Sequence, residues 1–503
     1  MLRRILIANR GEIALRVIRS CRELGIETVA VYSDADTKAL HVRRADHAVR
    51  IGPAAPADSY LKAGAILDAA RASGADAVHP GYGFLSENAA FAGACEQAGI
   101  VFIGPPAAAI TAMGSKIAAR RVAIAAGVPV VPGDTPDDQG DEAIAAAATR
   151  VGFPLLLKPA AGGGGIGMKT VRDTSALPGA IAQARREALA AFGDGTLYVE
   201  RLVERPRHVE VQILADHHGN VVHLFERECS VQRRHQKVVE ESPSPALTPA
   251  LRERMGAAAV AVAKAAGYRN AGTIEFLLDE TVARRSLGDG GFYFLEMNTR
   301  LQVEHPVTEQ VTGVDLVRAQ IAIAAGEPLR WTQEQLTQRG HAIEVRIYAE
   351  DPAAGYLPQP GPLLLYREPS APGIRVDAGV EEGGEISVHY DPMIAKLIAT
   401  GESRDAARRR ALAALRSYPI LGVRTNVRFL IALLEHPRFV AGDLDTRFLD
   451  KEGDALLESL PTEAPAAVIA LAKNLSTRNP HPRTSAPSHP RTDPWSSLRS
   501  WRG

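Results

Sequence analysis

Cysteine is nearly absent from the 503 residues: Cys21, Cys95 and Cys229 stand far apart, odd in number and without a CxxC pair. That excludes a disulfide framework and a zinc knuckle, and it fits a reducing compartment. An excess of either charge is missing too. Lys and Arg total 58, Asp and Glu 58, so there is no basic field for nucleic-acid phosphates. No apolar run reaches the roughly 18 residues of a transmembrane helix. The short apolar stretch after Arg3 and Arg4 is closed by Arg10, too soon for a signal peptide. What is present is 46% hydrophobic and 23% charged residues, an ordinary folded composition. At roughly 100–200 residues per domain, the length predicts two to four units. The expectation is a soluble, cytoplasmic, multidomain protein that engages neither nucleic acid nor a membrane.

The N-terminal stretch alternates strand and helix patterns. Ile5, Leu6, Ile7 and Ala8 form a short buried run; Ile13, Val17, Cys21 and Leu24 then follow helical spacing, with Gly25 at the expected stop. Residues 28–32 predict a second strand, 34–36 a turn, and 75–79 and 100–103 later strands of one sheet. The first turn, Asn9-Arg10-Gly11-Glu12, lacks the glycine fingerprint that lets a pyrophosphate approach the backbone. The architecture is therefore expected without a dinucleotide. A second unit begins near Ala112 and carries most of the chemistry. A third, over 335–447, has a strand pattern at 342–348 and helices at 406–415 and 426–434. Beyond Pro461 an Ala-rich helical segment leads into a Pro/Ser/His run at 479–490 that reads as linker.

The strongest local signal spans residues 155–169, where a strand ends at Lys158 and runs into Gly162, Gly163, Gly164, Gly165 and Gly167. Successive N–H groups in such a loop can cradle phosphate oxygens, and the lysine adds a point charge. Residues 162–167 match GxGxxG, but 168–171 read as a strand where the dinucleotide motif must open a helix. No GxxxxGK[ST] occurs. On this ground alone a flexible surface hairpin and a mobile lid over a nucleotide both stay open.

The second constellation lies at 292–306. Glu296, Asn298, Arg300, Gln302 and Glu304 fall on even positions, which an extended chain puts on one face. A strand with one solvated face explains the alternation, but not why the row contains no Lys, Ser or Thr. Glu275, in the apolar pattern 272–278, offers another inward carboxylate on a neighbouring strand. Two carboxylates and an amide oxygen are hard ligands suited to magnesium bridging nucleotide phosphates. A glycine-rich surface hairpin is expected between Glu275 and Glu296. The basic run 233–237 reads alone as a solvated face. Residues 79–88 read as a turn shaped by positive φ.

In series, five stretches resemble the biotin carboxylases of the ATP-grasp superfamily. They are Ile7-Ala8-Asn9-Arg10-Gly11-Glu12-Ile13-Ala14, the turn from His79 through Tyr82 to Asn88, and the glycine loop. Arg233-Arg234-His235-Gln236-Lys237 and the run from Glu296-Met297-Asn298 to Gln302-Val303-Glu304-His305 complete the set. The resemblance covers residues 1 to about 447 and implies an α/β chain, α+β overall. Its parts are a Rossmann-like nucleotide-fold domain over 1–111 and an ATP-grasp module over 112–334 with a mobile glycine-rich lid at about 131–203. A C-terminal biotin carboxylase domain over 335–447 and a helical, Pro/Ser-rich, linker-like segment over 448–503 follow.

Carried over by position, the resemblance implies that Lys116 and Lys158 contact ATP phosphates, with Gly164 and Gly165 in the lid backbone. Glu200, Arg201 and Val203 should edge the adenine, His208 and Gln232 the ribose, and His235 the phosphates. Glu275, Glu296 and Asn298 look like ligands of Mg2+, or of Mn2+ in its place. Lys237, Arg300, Gln302 and Val303 resemble the bicarbonate pocket, Glu304 the general base, and Arg346 the group facing biotin. The family usually has a basic residue where Ile166 stands and often lysine where Arg201 stands. The implied activity is ATP-dependent carboxylation of carrier-bound biotin by bicarbonate, through carboxyphosphate.

Residues 346–352 and 390–396, and Asp493-Pro494-Trp495, look like the larger acyl-CoA carboxylase α subunits of acetyl-, propionyl- or methylcrotonyl-CoA type. Implied partners are a biotin carboxyl carrier protein or domain, a carboxyltransferase subunit, and further copies of the chain as a homo-oligomer. Met168-Lys169 is the only Met-Lys pair and lies in the lid, so biotin is expected from another polypeptide. Two other readings stay open: an ATP-grasp ligase for a different carboxylate, and a non-catalytic structural subunit.

Overall fold

The computed structural model describes residues 2–160, 167–234, 236–280 and 291–459. The glycine loop at 161–166, His235, most of the expected hairpin (281–290) and the tail from 460 onward lie outside the described residues.

The first sheet contains β1 (Arg4–Ile7), β2 (Glu27–Ser33), β3 (His47–Gly52), β4 (Ala77–His79) and β5 (Val101–Phe102). Its order is β3-β2-β1-β4-β5, with every neighbouring pair parallel. Parallel strands are covered on both faces and so must be apolar on both. Leu6, Val29 and Val78 pack with Ile66 and Phe91, while Ile5 and Ile7 pack with Ile13 and Val17 of the helix Gly11–Glu23. Gly25, just past that helix, takes φ +69°, a left-handed turn that glycine adopts without strain. β3 has no counterpart in the sequence reading because it is an edge strand: His47, Ala48 and Arg50 are exposed, so no buried run marks it.

A small antiparallel sheet follows: β6 (Gly133–Asp134), β7 (Leu155–Pro159), β8 (Lys169–Val171) and β9 (Leu197–Arg201), ordered β6-β9-β7-β8. The helices Asp141–Val151 and Leu177–Phe192 pack onto it through Ile144, Ala147, Ile181 and Ala184. After the glycine loop the chain returns as strand β8, as the pattern predicts, and not as a helix.

The largest sheet is antiparallel throughout. It joins β10 (Pro206–Ala215), β11 (Val221–Arg233), β12 (Gln236–Ser242), β13 (Asn270–Asp279) and β14 (Phe292–Asn298) to β15 (His341–Tyr348), β16 (Ile374–Ala378) and β17 (Met393–Gly401). The order is β14-β13-β10-β11-β12-β15-β17-β16. The last three strands lie beyond residue 334, so one sheet continues across the boundary expected there, within a compact unit of Met1–Glu458. On one face Val209, Val211, Ile213, Ile274 and Phe276 pack with Leu251, Met255 and Val262 of the helix Pro249–Ala265. The other face is polar.

β14 corrects an expectation. The row of even positions does not share one strand: β14 ends at Asn298, and Glu304 is the residue from which the helix His305–Thr312 starts. Pro306 in the first helical turn suits that start, since its missing N–H has no partner there in any helix. The register also slips by one inside β14, where Phe276 opposes Phe294 but Glu275 opposes Glu296. This bulge leaves Phe292 and Phe294 in the core and aims Glu296 and Asn298 at the polar side.

Candidate active site

The polar face fronts a cavity of about 1070 Å3. Lys116 from the helix Lys116–Ala125, Lys158 from β7, Glu200 and Arg201 from β9, and Val203 line it. So do His208, Gln232, Lys237, Glu275, Glu296 and Asn298 from β10 to β14, the loop residues Arg300, Gln302 and Val303, and Arg346 from β15. Glu304 has no exposed surface and lies against Lys237 and Arg346. Gly164, Gly165 and His235 fall outside the described residues.

Strand alternation explains the clustering. Val209, Val211 and Ile213 of β10 face the core, so His208, Glu210 and Gln212 share the opposite face. Glu210 opposes Arg227 on β11 and Glu275 on β13, and Glu275 opposes Glu296 on β14. Like charges side by side repel, and buried cations offset that here. Arg227, wholly buried, donates to Glu210 at 2.5 Å, Gln212 at 2.8 Å and Thr308 at 2.9 Å. Lys237 Nζ donates to three carboxylates at once: Glu210 at 2.5 Å, Glu304 at 2.7 Å and Glu275 at 2.9 Å. Arg346 donates to Glu304 at 2.9 Å and to Glu240 at 2.7 Å. Glu275 also lies 2.9 Å from His208 Nε2 and accepts Asn298 Nδ2 at 2.8 Å.

Burial alone would keep each of these acids protonated, and the cations decide which of them ionise. Burial pushes Glu304 up, but Lys237, Arg346 and Arg227 together hold it well below the usual carboxylate range. Glu275 is likewise held down against burial by Lys237 and His208. For Glu240 burial prevails over Arg346, and with Glu304 adding repulsion the carboxyl is pushed up to about 7. Burial resists the charge on Lys237, yet Glu210, Glu275 and Glu304 raise it well above normal. Glu304 is thus an ionised acceptor shut off from water beside a permanent ammonium.

Among the described residues, two buried groups bring their ligand atoms within 4.8 Å of one another: His208, Glu210 and Glu275, and Glu210, Cys229 and Glu304. Lys237 already bonds carboxylates of both groups, so charge balance there does not call for a metal ion. The β13–β14 pair differs. Burial, then repulsion from Glu275, raises the Glu296 carboxyl. Hard oxygens that repel each other beside an amide suit a divalent cation.

Elsewhere the expected residues meet in ways that spacing does not reveal. Lys158 donates to Glu200 at 2.5 Å, so an expected phosphate contact is held by an expected adenine contact. Gln232 Nε2 and His208 Nδ1 lie 2.7 Å apart, and the exposed Arg201 reaches the Tyr293 hydroxyl at 3.0 Å. Arg300 donates to Gln302 at 2.9 Å and Asn298 at 3.1 Å.

Two bland readings are corrected. The basic run is only partly a solvated face: Arg234 and Gln236 are exposed, but Lys237 is at the centre of the site, and Arg233 pairs with Glu350 at 2.7 Å over the Tyr356 ring. The turn at 79–88 has Gly81 and Gly83 at φ +64° and +68°, as expected, but it also serves the site. Its Glu87 accepts Arg300 Nε at 2.8 Å and the Thr299 N–H at 2.9 Å. Glu210, Arg227 and Glu240 were not singled out from sequence. The signal for Glu210 was present, because His208, Glu210 and Gln212 alternate with Val209, Val211 and Ile213 as the later row alternates.

Comparison with known proteins identifies the family. Residues 1–110 match the biotin carboxylase N-terminal domain, 115–332 the ATP-binding domain of the carbamoyl-phosphate synthase L chain, and 344–451 the biotin carboxylase C-terminal domain. The chain is 53% identical over 449 residues to a biotin carboxylase from Halalkalibacterium halodurans, covering 89% of this chain and 97% of that one. It belongs to the biotin carboxylase family. It is also 53% identical over 457 residues to the mitochondrial methylcrotonoyl-CoA carboxylase subunit alpha of Oryza sativa, covering 91% of this chain but 61% of the rice subunit. The biotin carboxylase domain dimer of Hydrogenobacter thermophilus 2-oxoglutarate carboxylase, crystallised with MgADP, ADP and bicarbonate, superposes with a TM-score of 0.85 at 47% identity. That match covers 91% of this chain and 99% of the other. Among the described residues no helix is long and apolar enough to cross a membrane.

Proposed function

We propose that the chain is the biotin carboxylase component of an acyl-CoA carboxylase, carboxylating carrier-bound biotin with bicarbonate, ATP and Mg2+. The observation that carries this reading is Glu304, ionised and sealed from water, gripped between Lys237 and Arg346. Bicarbonate is a poor electrophile until phosphorylated to carboxyphosphate, and that step needs a base in a water-poor site and cations for developing charge. Glu304 accepts the bicarbonate proton. Lys237, Arg300, Gln302 and Val303 form the pocket for its oxygens, and the planar guanidinium of Arg300 can grip two of them. Lys116 and Lys158 serve the ATP phosphates together with Gly164, Gly165 and His235. Glu200, Arg201 and Val203 serve the adenine, and His208 and Gln232 the ribose. Glu275, Glu296 and Asn298 would hold Mg2+, which neutralises phosphate charge when bound. Carboxyphosphate then yields CO2 and phosphate, the phosphate takes the ureido N–H proton of biotin, and Arg346, facing the ureido oxygen, stabilises the enolate-like form that attacks CO2.

The rice relative favours an acyl-CoA as final acceptor, with a biotin carrier and a carboxyltransferase as partners. The dimeric Hydrogenobacter domain supports a homo-oligomer. Three buried free thiols fit a reducing compartment, for which we propose the cytoplasm. The domain limits 1–111, 112–334 and 335–447 are part of the same reading, with the lid at about 131–203. The test is ATP cleavage by the purified chain, titrated with bicarbonate, then free biotin, then a biotinylated carrier. Cleavage should need bicarbonate and rise most with the carrier. Cleavage driven by another carboxylate would reveal a different ATP-grasp ligase, and no cleavage at all a structural subunit. Completing the holoenzyme with candidate carboxyltransferases and a panel of acyl-CoA, pyruvate and 2-oxoglutarate acceptors then decides the acceptor.

A further inference from the structure

Lys396, in β17, is a lysine with no exposed surface. Its Nζ donates to the Val303 carbonyl at 2.8 Å and lies 3.1 Å from Glu12 Oε1. Glu12, in the first turn of the helix Gly11–Glu23, also accepts the Tyr82 hydroxyl, while its Oε2 is buried without a hydrogen-bond partner. Residues 12, 82, 303 and 396 come from four separate segments, and Glu12, Tyr82 and Val303 line the cavity. Lys396 itself is the cross-strand neighbour of Arg346. A buried ion pair is a poor way to hold a core together, since apolar residues of similar volume often serve as well or better. Its place directly behind the site is what needs a reason.

We propose that Lys396 is a positioning residue: by fixing the Val303 carbonyl it sets the turn that presents Gln302 and Glu304, and through Glu12 it holds the Tyr82 ring in the cavity wall. The inference rests on the reading of residues 300–304 as the bicarbonate turn. Glu304 sits one residue past the anchored carbonyl, at the last irregular position before the helix His305–Thr312. A turn released at Val303 would therefore move the base and the bicarbonate donors together, while the nucleotide contacts on β7 and β9 would stay in place.

The test is Lys396→Met and Lys396→Gln in the full chain, with KM for bicarbonate, KM for MgATP, kcat and melting temperature measured for each. Lys396→Met should lower kcat/KM for bicarbonate about 100-fold, the scale of a misplacement near 1 Å. KM for MgATP should stay within about twofold, since its contacts lie elsewhere. Lys396→Gln can still donate to the Val303 carbonyl and should recover about tenfold of the loss, the worth of one hydrogen bond of roughly 1.4 kcal/mol. A merely structural role would lower the melting temperature and the active fraction with both KM values unmoved, and that result overturns the inference. If Lys396→Met does not fold, Lys396→Gln is read alone: a selective loss on bicarbonate supports positioning, and unmoved KM values overturn it. A wild-type chain indifferent to bicarbonate overturns the functional reading and this inference together. Active wild type with unaffected variants overturns this inference only.

Discussion

The two faces of β10 are both buried and chemically opposite. Val209, Val211 and Ile213 meet other apolar side chains, whereas His208, Glu210 and Gln212 meet charges. Burying the first set is favourable by the area removed from water. Burying the second is costly unless every charge has its partner. The apolar face can therefore be read as the reason the sheet folds, and the polar face as the reason this sheet is kept. It is a stack of carboxylates whose ionisation is set one by one by Arg227, Lys237 and Arg346.

The contrast can be broken from either side. Glu304→Gln keeps the side chain's shape but removes both the proton acceptor and the charge that Lys237 and Arg346 share. Bicarbonate-dependent ATP cleavage should fall about 100- to 10,000-fold, with ATP affinity retained in a binding titration. Lys237→Met should cost about 100- to 1,000-fold in the same assay. Because three carboxylates lose their shared partner, it should also destabilise the fold by about 3–5 kcal/mol on denaturant unfolding. Phe276→Ala, on the other face, should lose a similar 3–5 kcal/mol or so while turnover per folded molecule is unchanged. Were Phe276→Ala to reduce turnover as Lys237→Met does, the division of labour between the faces would be wrong.

Glu296→Gln should raise the magnesium concentration for half-maximal rate about tenfold, the low end of what weakened metal support costs. An unchanged magnesium titration would return Glu296 to a plain polar position. The last effect, read in stability and not in turnover, concerns Glu240. Its proton stays on in the fold up to about pH 7, whereas the unfolded chain releases it near pH 4.5 or so. Its contribution to stability therefore falls as pH rises through that window and is flat above it. Glu240→Gln should flatten this slope, so unfolding curves of the variant and wild type should differ more at pH 8 than at pH 5.

Much of this was legible in the sequence, for physical reasons. β1, β2 and β4 announce themselves because inner parallel strands are apolar on both faces, β5 by the apolar run 100–103, and β8 because a strand pattern follows the glycines. β3 does not, since its exposed edge carries polar residues. The acid row at 296–304 reads as one strand, which the structure does not keep. A one-residue bulge and a helix start break its period, and neither follows from alternation. Glu87 was read as part of a turn because its partner, Arg300, lies 213 positions away. Lys396 closes the stretch 390–396 that resembles the larger α subunits, but nothing in that stretch points to its role. Only the approach of Glu12 and Val303, far away in sequence, gives it meaning.

The most direct test of the central claim follows the carbon. The purified chain would be incubated with ATP, Mg2+, 14C-bicarbonate and a biotinylated carrier protein, and the carrier captured at alkaline pH and counted. Label should appear on the carrier only when ATP and biotin are both present, and should fall to background with Glu304→Gln. Cleavage of ATP with no carbon on the carrier, or equal labelling by Glu304→Gln, would contradict the claim that the buried carboxylate face activates bicarbonate for transfer to biotin.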